Sequence, residues 1–332
     1  LAAMTACAAP ARIERRRVDG VLLLDKPQGL SSNQVLGRVK YLFRALKGGH
    51  SGTLDPMATG LLPILLGEAT KFSQLGLDAD KEYEATVMLG VTTTTGDAEG
   101  EPVSQGDVNV STEQLESLVK SLQGEQDQMP PMFSALKHQG KPLYDYARQG
   151  IVIERKARRI VVHETELLDC QLPVVRMRVA CSKGTYIRSL AETLGERAGC
   201  GAHLIGLRRT KSGSLCLRHA VTLETLSQAT PQQLAGHLLP VDHMVQAWPR
   251  LQLTHAQSQK FRHGQVLAVA AGLGVDLATL ETQRPLTVMK QDDNRASDPL
   301  RVYSETNEFL GIASWKAGLL QPERLVAPAS YE

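Results

Sequence analysis

The sequence has no apolar run approaching the ~20 residues that a bilayer-spanning helix needs. Its longest lies around Gly60–Gly67. Aromatic residues make up 4% of the 332, so the core must lean on Leu, Val and Ala. Cysteines number five, at positions 7, 170, 181, 200 and 216, an odd count with no C-x-x-C pair. Such spacing speaks against a disulfide framework or cysteine zinc site and predicts reduced thiols in a cytoplasmic protein. The patterns GxxxxGK(S/T), GxGxxG opening a helix, HExxH and GxSxG do not occur, and no two of the nine histidines stand four residues apart. Phosphate-loop, dinucleotide, zinc-protease and serine-hydrolase chemistry are therefore without support, and neither a metal nor a cofactor is expected.

Apolar residues at 42% and charged residues at 22% are ordinary for a globular protein with a sizeable core. At roughly 150 residues per domain the length suggests two domains. Net charge is only +2, but its distribution is uneven. Lys26 to Leu54 holds five basic residues (Lys26, Arg38, Lys40, Arg44, Lys47) and no acid, and Arg197 to Leu223 again holds five and no acid. Asp97 to Asp127 holds eight acids against Lys120 alone. One basic and one acidic face would suit a polyanionic ligand; solvated helix faces would give the same pattern. Residues 1–17 have their charges after their small residues, the reverse of a secretory signal. They read as a flexible arm carrying Arg12 and Arg15–Arg17, with Met4 a candidate start.

Along the chain, Gly20–Asp25 reads as an apolar strand closed by the turn Lys26-Pro27-Gln28-Gly29. Ser31 or Ser32 caps a helix with Val35, Leu36, Val39, Leu42, Phe43 and Leu46 on one stripe, ended by Gly48-Gly49. Leu61–Leu66 is a buried strand, and Glu68–Leu75 starts another helix. Alternation predicts strands at Tyr83–Leu89 and Val174–Cys181, with a loop at Thr92–Gly106. Thr112–Leu122 and Tyr186–Ala198 read as helices, and Leu204–Arg208 as a strand. Gln126–Lys141, with Pro130-Pro131, is a long irregular stretch of the kind that is often functional. After Pro249 the short apolar runs Gln265–Ala270, Leu286–Met289, Leu300–Ser304 and Phe309–Trp315 predict a small β domain.

Within GHSGTLDPMATG, Asp55 precedes a proline, which biases it away from helix. It is the first acid after Asp25, so basic surroundings should keep it ionised and able to act as nucleophile or base. An Asp-Pro turn residue would look the same in sequence.

The segment GHSGTLDPMATGLLPILLGEATK resembles the catalytic motif of TruB-type tRNA pseudouridine synthases. VDGVLLLDKPQGLSS, DKEYEATVMLG, TTTTGDAEG, QMPPMFSALKHQGKPLYDYARQG, CSKGTYIRSLAETLG and HLIGLRRTKSG resemble further motifs of that family in order, from Val18 to Gly213. Ser51 stands where the family usually has Thr. The part after Pro249 resembles, more weakly, the appended RNA-binding domain of PUA type.

The resemblance implies an α+β fold on a largely antiparallel sheet: a catalytic domain over 18–243, an RNA-contacting insertion at about 126–157, and a PUA-like domain at 250–330. It implies a cytoplasmic, monomeric enzyme without cofactor or obligatory protein partner. Its substrate would be tRNA, whose T-loop uridine at position 55 is isomerised to pseudouridine. Such chemistry needs one carboxylate near the sugar rather than a hydrolase's pair. It also needs water kept from the intermediate.

Carried over by motif, Asp55 attacks C1′ or takes a sugar proton. Tyr83 packs on the base, and Arg188 pairs with Asp55 and holds it charged. Tyr186 and Leu207 complete the base pocket, and Asp97 supports the arginine pair. The base must leave its stack, and His50 would fill the gap; read without the resemblance it caps a helix end. Lys71, Lys137, Lys141, Arg208 and Arg209 are candidate phosphate contacts. Alternative readings are a guide-RNA-dependent enzyme of the same fold, a tRNA-folding chaperone, and a glycosidase, the last disfavoured by the missing second carboxylate.

Overall fold

The apolar runs and their turns become strands and helices in a computed structural model that describes residues 14–268, 298–316 and 318–328. The GVLLLDK run is β1 (Gly20–Lys26), and the stripe after it is α1 (Ser32–Leu42). The two serines divide the work. Ser31 caps α1 in a reciprocal box with Gln34, while the Ser32 hydroxyl bonds both to the Leu54 carbonyl (3.0 Å) and to its N–H (2.8 Å). The helix stops earlier than its stripe suggests, because Arg44 turns into the left-handed region at φ 53° and Leu46 is 57% exposed. The glycines expected to end it instead form β2 (Gly48–His50), followed by β3 (Thr59–Leu66).

A 3-10 turn over Gly67–Phe72 runs into α2 (Ser73–Asp78), so the helix expected there is split. Then come β4 (Lys81–Leu89), the short hairpin β5 (Val91–Thr93) and β6 (Pro102–Gln105), α3 (Thr112–Ser121) and β7 (Gly124–Gln128). The irregular stretch contains a two-residue ladder, β8 (Lys137–His138) and β9 (Lys141–Pro142), and then α4 (Leu143–Ala147). β10 (Arg158–Gln171), β11 (Val174–Cys181), α5 (Ile187–Arg197) and β12 (Ala202–Ser212) follow. β13 (Leu215–Cys216), β14 (Val221–Thr222), α6 (Leu223–Gln228) and α7 (Pro231–Gly236) come next. The last elements are β15 (Arg250–Gln252), α8 (His255–Arg262), β16 (Leu267–Ala268), β17 (Asp298–Tyr303), β18 (Phe309–Lys316) and β19 (Leu319–Leu325). The strand expected at Leu286–Met289 and the arm residue Arg12 lie outside the described residues.

Ten strands make the main sheet, ordered β14-β1-β3-β12-β4-β11-β10-β7, with β13 beside β12 and β2 beside β3. Its pairings are antiparallel except β1 with β14 and β3 with β12. The largely antiparallel α/β architecture read from the sequence is therefore the one observed. β4 buries every second residue, and Ala85, Val87 and Leu89 meet Leu190 and Leu194 of α5 in the principal core. Each of the Val and Leu side chains contributes about 1.5–3 kcal/mol when fully buried. The opposite face of β4 and β11 is polar, with Arg178 bridging Glu82, Glu164 and Glu166. Among the described residues no helix is long and apolar enough to cross a membrane.

The C-terminal part forms its own five-stranded sheet, ordered β15-β17-β18-β19-β16, around Leu251, Phe261, Leu300, Val302 and Leu310. It is fastened to the rest at a second apolar cluster. Phe72 packs on Phe309, ring centres 5.8 Å apart, beside Val245 and Ile312. Polar ties flank that cluster: Arg301 to Asp242 at 3.0 Å, Tyr303 to the same carboxylate, and Lys71 to the Leu325 carbonyl at 2.8 Å. The arm expected over 1–17 is tied down from Arg16, whose N–H donates to the Arg44 carbonyl at 2.8 Å and whose carbonyl accepts from Leu46 at 3.0 Å.

Phe72 is 1% exposed and joins the two sheets. Phe72→Ala is expected to cost about 3–5 kcal/mol, as large aromatic-to-alanine changes in a core do. It should also speed proteolytic cleavage near residue 250. Urea unfolding and limited proteolysis check this, and a loss well under 1 kcal/mol would show that the cluster does not hold the parts together.

Candidate active site

Asp55 sits on the loop between β2 and β3, and that loop is nailed down by backbone contacts. The Lys26 ammonium, with no exposure at all, donates to the carbonyls of Pro27 (2.9 Å), Pro56 (3.3 Å) and Ala58 (2.6 Å). Burial lowers its pKa to about 8, while nearby Asp55 pulls the other way. Ser32 holds Leu54, and the Ala58 N–H returns to the Asp55 carbonyl at 3.0 Å. Gly60, at φ 97°, lets β3 lie against Arg209 of β12; a Cβ there would stand 2.4 Å from the Arg209 carbonyl oxygen. None of these clamps stood out in the sequence. The one available signal was the KP turn and the SS pair ahead of an acid-bearing loop.

Arg188 stands in the first turn of α5, its side chain 6% exposed. One Nη lies 3.1 Å from an Asp55 carboxylate oxygen and the other 3.3 Å from Asp97. The same group donates to the Thr95 carbonyl at 3.2 Å and the Phe133 carbonyl at 2.6 Å. Asp97 is buried and also accepts from the Thr95 hydroxyl (2.5 Å) and the Glu99 N–H (3.1 Å). Asp55 differs: its side chain is 42% exposed, open to solvent on one side and crowded by protein on the others. Desolvation pushes its carboxyl above the ordinary range and Asp97 adds to the rise, while Arg188 and Lys26 oppose it. The residues around Asp55, read alone, point to a readily ionised carboxylate; the structure adds the burial that opposes this and has Asp97, expected beside the arginine pair, on the same guanidinium. Folding brings Asp97 in from a loop 42 residues downstream.

Tyr83 of β4 lies directly across the ladder from Arg209 and is 9% exposed, with its phenol pushed up by burial. Tyr186 precedes α5, its N–H and carbonyl both held by the Gln128 side-chain amide at 2.8 and 3.0 Å. Leu207 of β12 is half-buried, opposite Ala85. His50 ends β2 rather than a helix. Burial and the Arg209 charge lower its imidazole, keeping it neutral, and its Nδ1 has no partner among the described residues.

The expected phosphate contacts divide. Lys137 and Lys141 are exposed on the small ladder of the insertion. Lys71 is committed to Glu68 (2.6 Å) and Leu325, and Arg208 forks onto Asp25 at 2.6 and 3.1 Å. Arg209 is 1% exposed, donating to the carbonyls of Leu61 (2.7 Å) and Gly52 (3.2 Å); it is a core arginine, out of reach of any RNA phosphate. A groove of about 850 Å³ between α1 and α6 contains none of the predicted site residues. What converges at Asp55 is a half-exposed carboxylate held by Arg188, with Asp97 on the same guanidinium and the phenols of Tyr83 and Tyr186 within range of its charge.

This sheet arrangement is shared with solved structures. The chain superposes on one chain of the crystal structure of a Cbf5-Nop10-Gar1 complex with TM-score 0.67 at 25% identity, covering 94% of this chain and 86% of that one. The class is that of the pseudouridine synthases. The family models for the TruB family pseudouridylate synthase N-terminal domain, the tRNA pseudouridylate synthase B C-terminal domain and the pseudouridine synthase II TruB C-terminal region match residues 40–187, 188–246 and 284–326. Proteins named tRNA pseudouridine synthase B are 52% identical over 319 residues in Cupriavidus metallidurans (96% of this chain, 97% of the relative) and 50% over 324 in Ralstonia nicotianae (95% and 96%). The chain belongs to the TruB family of pseudouridine synthases.

Arg209→Met is expected to destabilise by about 2–4 kcal/mol, since it strands the buried Leu61 and Gly52 carbonyls. Arg209→Lys should not restore this, because an ammonium cannot span both carbonyls as the planar fork does. Thermal and urea unfolding measure it. A near-neutral Arg209→Met would mean the carbonyls find other donors.

Proposed function

We propose that this chain isomerises the uridine at position 55, in the T loop of tRNA, to pseudouridine, with Asp55 as the reacting carboxylate. Family membership supports the reaction class and its tRNA substrate. The observation that carries the site assignment is the shared Arg188: it holds Asp97 fully inside and leaves Asp55 facing out.

A uridine flipped from its loop would stack its base between Tyr83, Tyr186 and Leu207, with the sugar toward Asp55. His50, neutral and at the end of β2, would fill the vacated stack. The ionised carboxylate starts the reaction, at C1′ as nucleophile or at a sugar proton as base. The N1–C1′ bond breaks, the uracil rotates within the walls, and C5 bonds to C1′, displacing the Asp55 carboxylate from C1′ or, on the other route, with the sugar proton returned from Asp55. C5 then loses its proton and N1 gains one, so atoms balance without a redox partner. Arg188 keeps Asp55 charged and aimed, and the walls keep water from C1′. Lys137 and Lys141 lie where an insertion could follow the RNA backbone. We read the protein as a stand-alone monomer. Relatives named tRNA pseudouridine synthase B match it at about half identity over nearly all of both chains, whereas the Cbf5 complex matches at 25%.

The test is single-turnover pseudouridine formation on an unmodified tRNA transcript, with filter binding on the same samples. Asp55→Asn should fold and bind yet form essentially no pseudouridine; substantial turnover would remove Asp55 from the mechanism. Arg188→Lys should lose rate by ~10²-fold or more, the scale of a lost preorganised charge contact, with little change in binding. Parallel loss of both would make Arg188 an RNA contact instead.

The pH dependence has a defined sign. The reaction needs ionised Asp55, so rate rises with pH through its pKa, and that limb should lie above the ordinary carboxylate value of about 3.9. Asp97→Asn removes the neighbouring negative charge and should move the limb to lower pH. A limb that stays put would show that the two acids do not interact.

A further inference from the structure

Two basic segments distant in sequence meet on one surface. The chain at Arg16 runs parallel to Ala45, through the bonds Arg16 N–H to Arg44 carbonyl and Leu46 N–H to Arg16 carbonyl. This sets Arg15 and Arg16 beside the end of α1, where Arg44 and Lys47 follow Lys40 and Arg38. All but half-buried Lys40 are exposed, as is Tyr41 at 65%, one turn from Arg38 on the outer face of α1. The bordering acids are Glu14, Asp19 beside Gly67, whose N–H bonds the Lys47 carbonyl, and, across the groove between α1 and α6, Glu224; Asp19 is already paired with Arg17 at 2.8 Å. Six cations thus face two acids not already paired, on a chain whose total charge is +2.

Many exposed cations elsewhere are matched singly, and those that are not, such as Lys120, Lys137, Lys141 and Lys260, are not gathered into a group of six. Arg159 pairs with Glu125, Arg176 with Glu84, Lys183 with Asp78, Lys211 with Glu82 and Arg262 with Glu308. None of the six makes an ion pair among the described residues. The helix dipole accounts for Lys40 in the last turn and for Arg44 just past it, worth a fraction of a kcal/mol each. It does not account for Arg15, Arg16, Arg38 or Lys47. Six neighbouring cations repel one another unless a polyanion covers them. An arginine-flanked exposed aromatic also suits nucleic acid better than an acidic peptide, since both side chains can stack.

The surface also has a fixed relation to the site. Lys47 precedes β2, and His50 ends that strand, roughly 10 Å further along at ~3.3 Å per residue. At its other edge Arg17 donates to the Ala327 and Pro328 carbonyls, so it adjoins the end of the C-terminal domain. We propose that this surface, formed by α1, its C-terminal extension and residues 15–16, binds the sugar-phosphate backbone of the tRNA beyond its T loop. This rests on the tRNA reading above and adds a second, sequence-independent point of attachment. Phosphate contacts hold register without reading bases.

The test compares an unmodified full-length tRNA transcript with an isolated T-arm hairpin. One variant carries Arg15→Ser, Arg16→Ser, Arg38→Gln, Arg44→Asn and Lys47→Gln, asparagine being chosen because position 44 has a left-handed backbone. A second carries Arg38→Gln and Lys47→Gln alone, at exposed positions where misfolding is not at issue. For full-length tRNA the first should raise Kd about tenfold or more at moderate salt, and each lost phosphate contact should reduce the log–log salt slope by about one. Kd for the hairpin and the single-turnover rate at saturating enzyme should hold. An unchanged Kd and slope for full-length tRNA overturns the proposal. So does equal weakening of tRNA and hairpin, which would assign these cations to the T-loop site. If the wild-type protein formed no pseudouridine in the tRNA, the reading of the reaction would fail instead, and the binding comparison would still stand.

Discussion

The guanidinium of Arg188 is the contact on which the site depends. It is buried, and it draws together Asp55 after β2, the Thr95–Asp97 loop and the Phe133 carbonyl in the insertion. A buried charge is costly unless its hydrogen-bonding capacity is met. Here two carboxylates and two carbonyls meet it, so three loops that share no secondary structure are held in one arrangement. A lysine would supply the charge without the planar fork that reaches partners on several sides. The position is also set by packing: Ile187 and Leu190 are buried beside it in α5, so the helix cannot roll without exposing apolar surface.

Around that contact the backbone is unusually well determined for a loop. Lys26 gathers three carbonyls, Ser32 closes a two-way bond with Leu54, and Arg209 reaches across from β12 to Gly52 and Leu61. These are charged or hydroxyl groups spent inside the protein on main-chain atoms. Rigid support of this kind keeps a carboxylate aimed while leaving one side open, which suits a reaction whose substrate must be swung into place. Burial in that support pushes the Asp55 carboxyl above the ordinary range, and Asp97 on the same arginine adds to the rise, while Arg188 and Lys26 oppose it.

Much of the fold was legible. Period-2 alternation in Tyr83–Leu89 and Val174–Cys181 became β4 and β11, and the 3.6-residue stripes became α1, α3 and α5. Misses came where that signal is broken. β10 has register shifts at Val162/Glu164 and Leu167/Asp169, so its inward residues lose strict alternation, and it was not recognised as a strand. β5 and β6 are polar and pair in a short hairpin, with no apolar face to announce them. The glycines after α1 looked like a helix stop, yet Gly48 lets β2 pack on β3, since a Cβ there would stand 3.1 Å from both Leu66 and Lys40.

The sequence by itself determined the family, the largely antiparallel α/β plan and the acid-bearing loop, because these are written in contiguous motifs and local periodicity. Only the tertiary structure decided which charges are available. Arg208 and Arg209 are adjacent in one strand and alternate in direction, so one forks onto Asp25 near the surface while the other vanishes into the core. The resemblance implied Asp97 at the arginine pair, but its burial and its bonds to Thr95 and Glu99 came only from the fold, as did the two backbone bonds that make Arg16 a neighbour of Ala45. A residue's charge is a property of its type. Its partners, its burial and hence its chemistry are set by contacts between segments far apart in the chain, which no local pattern records.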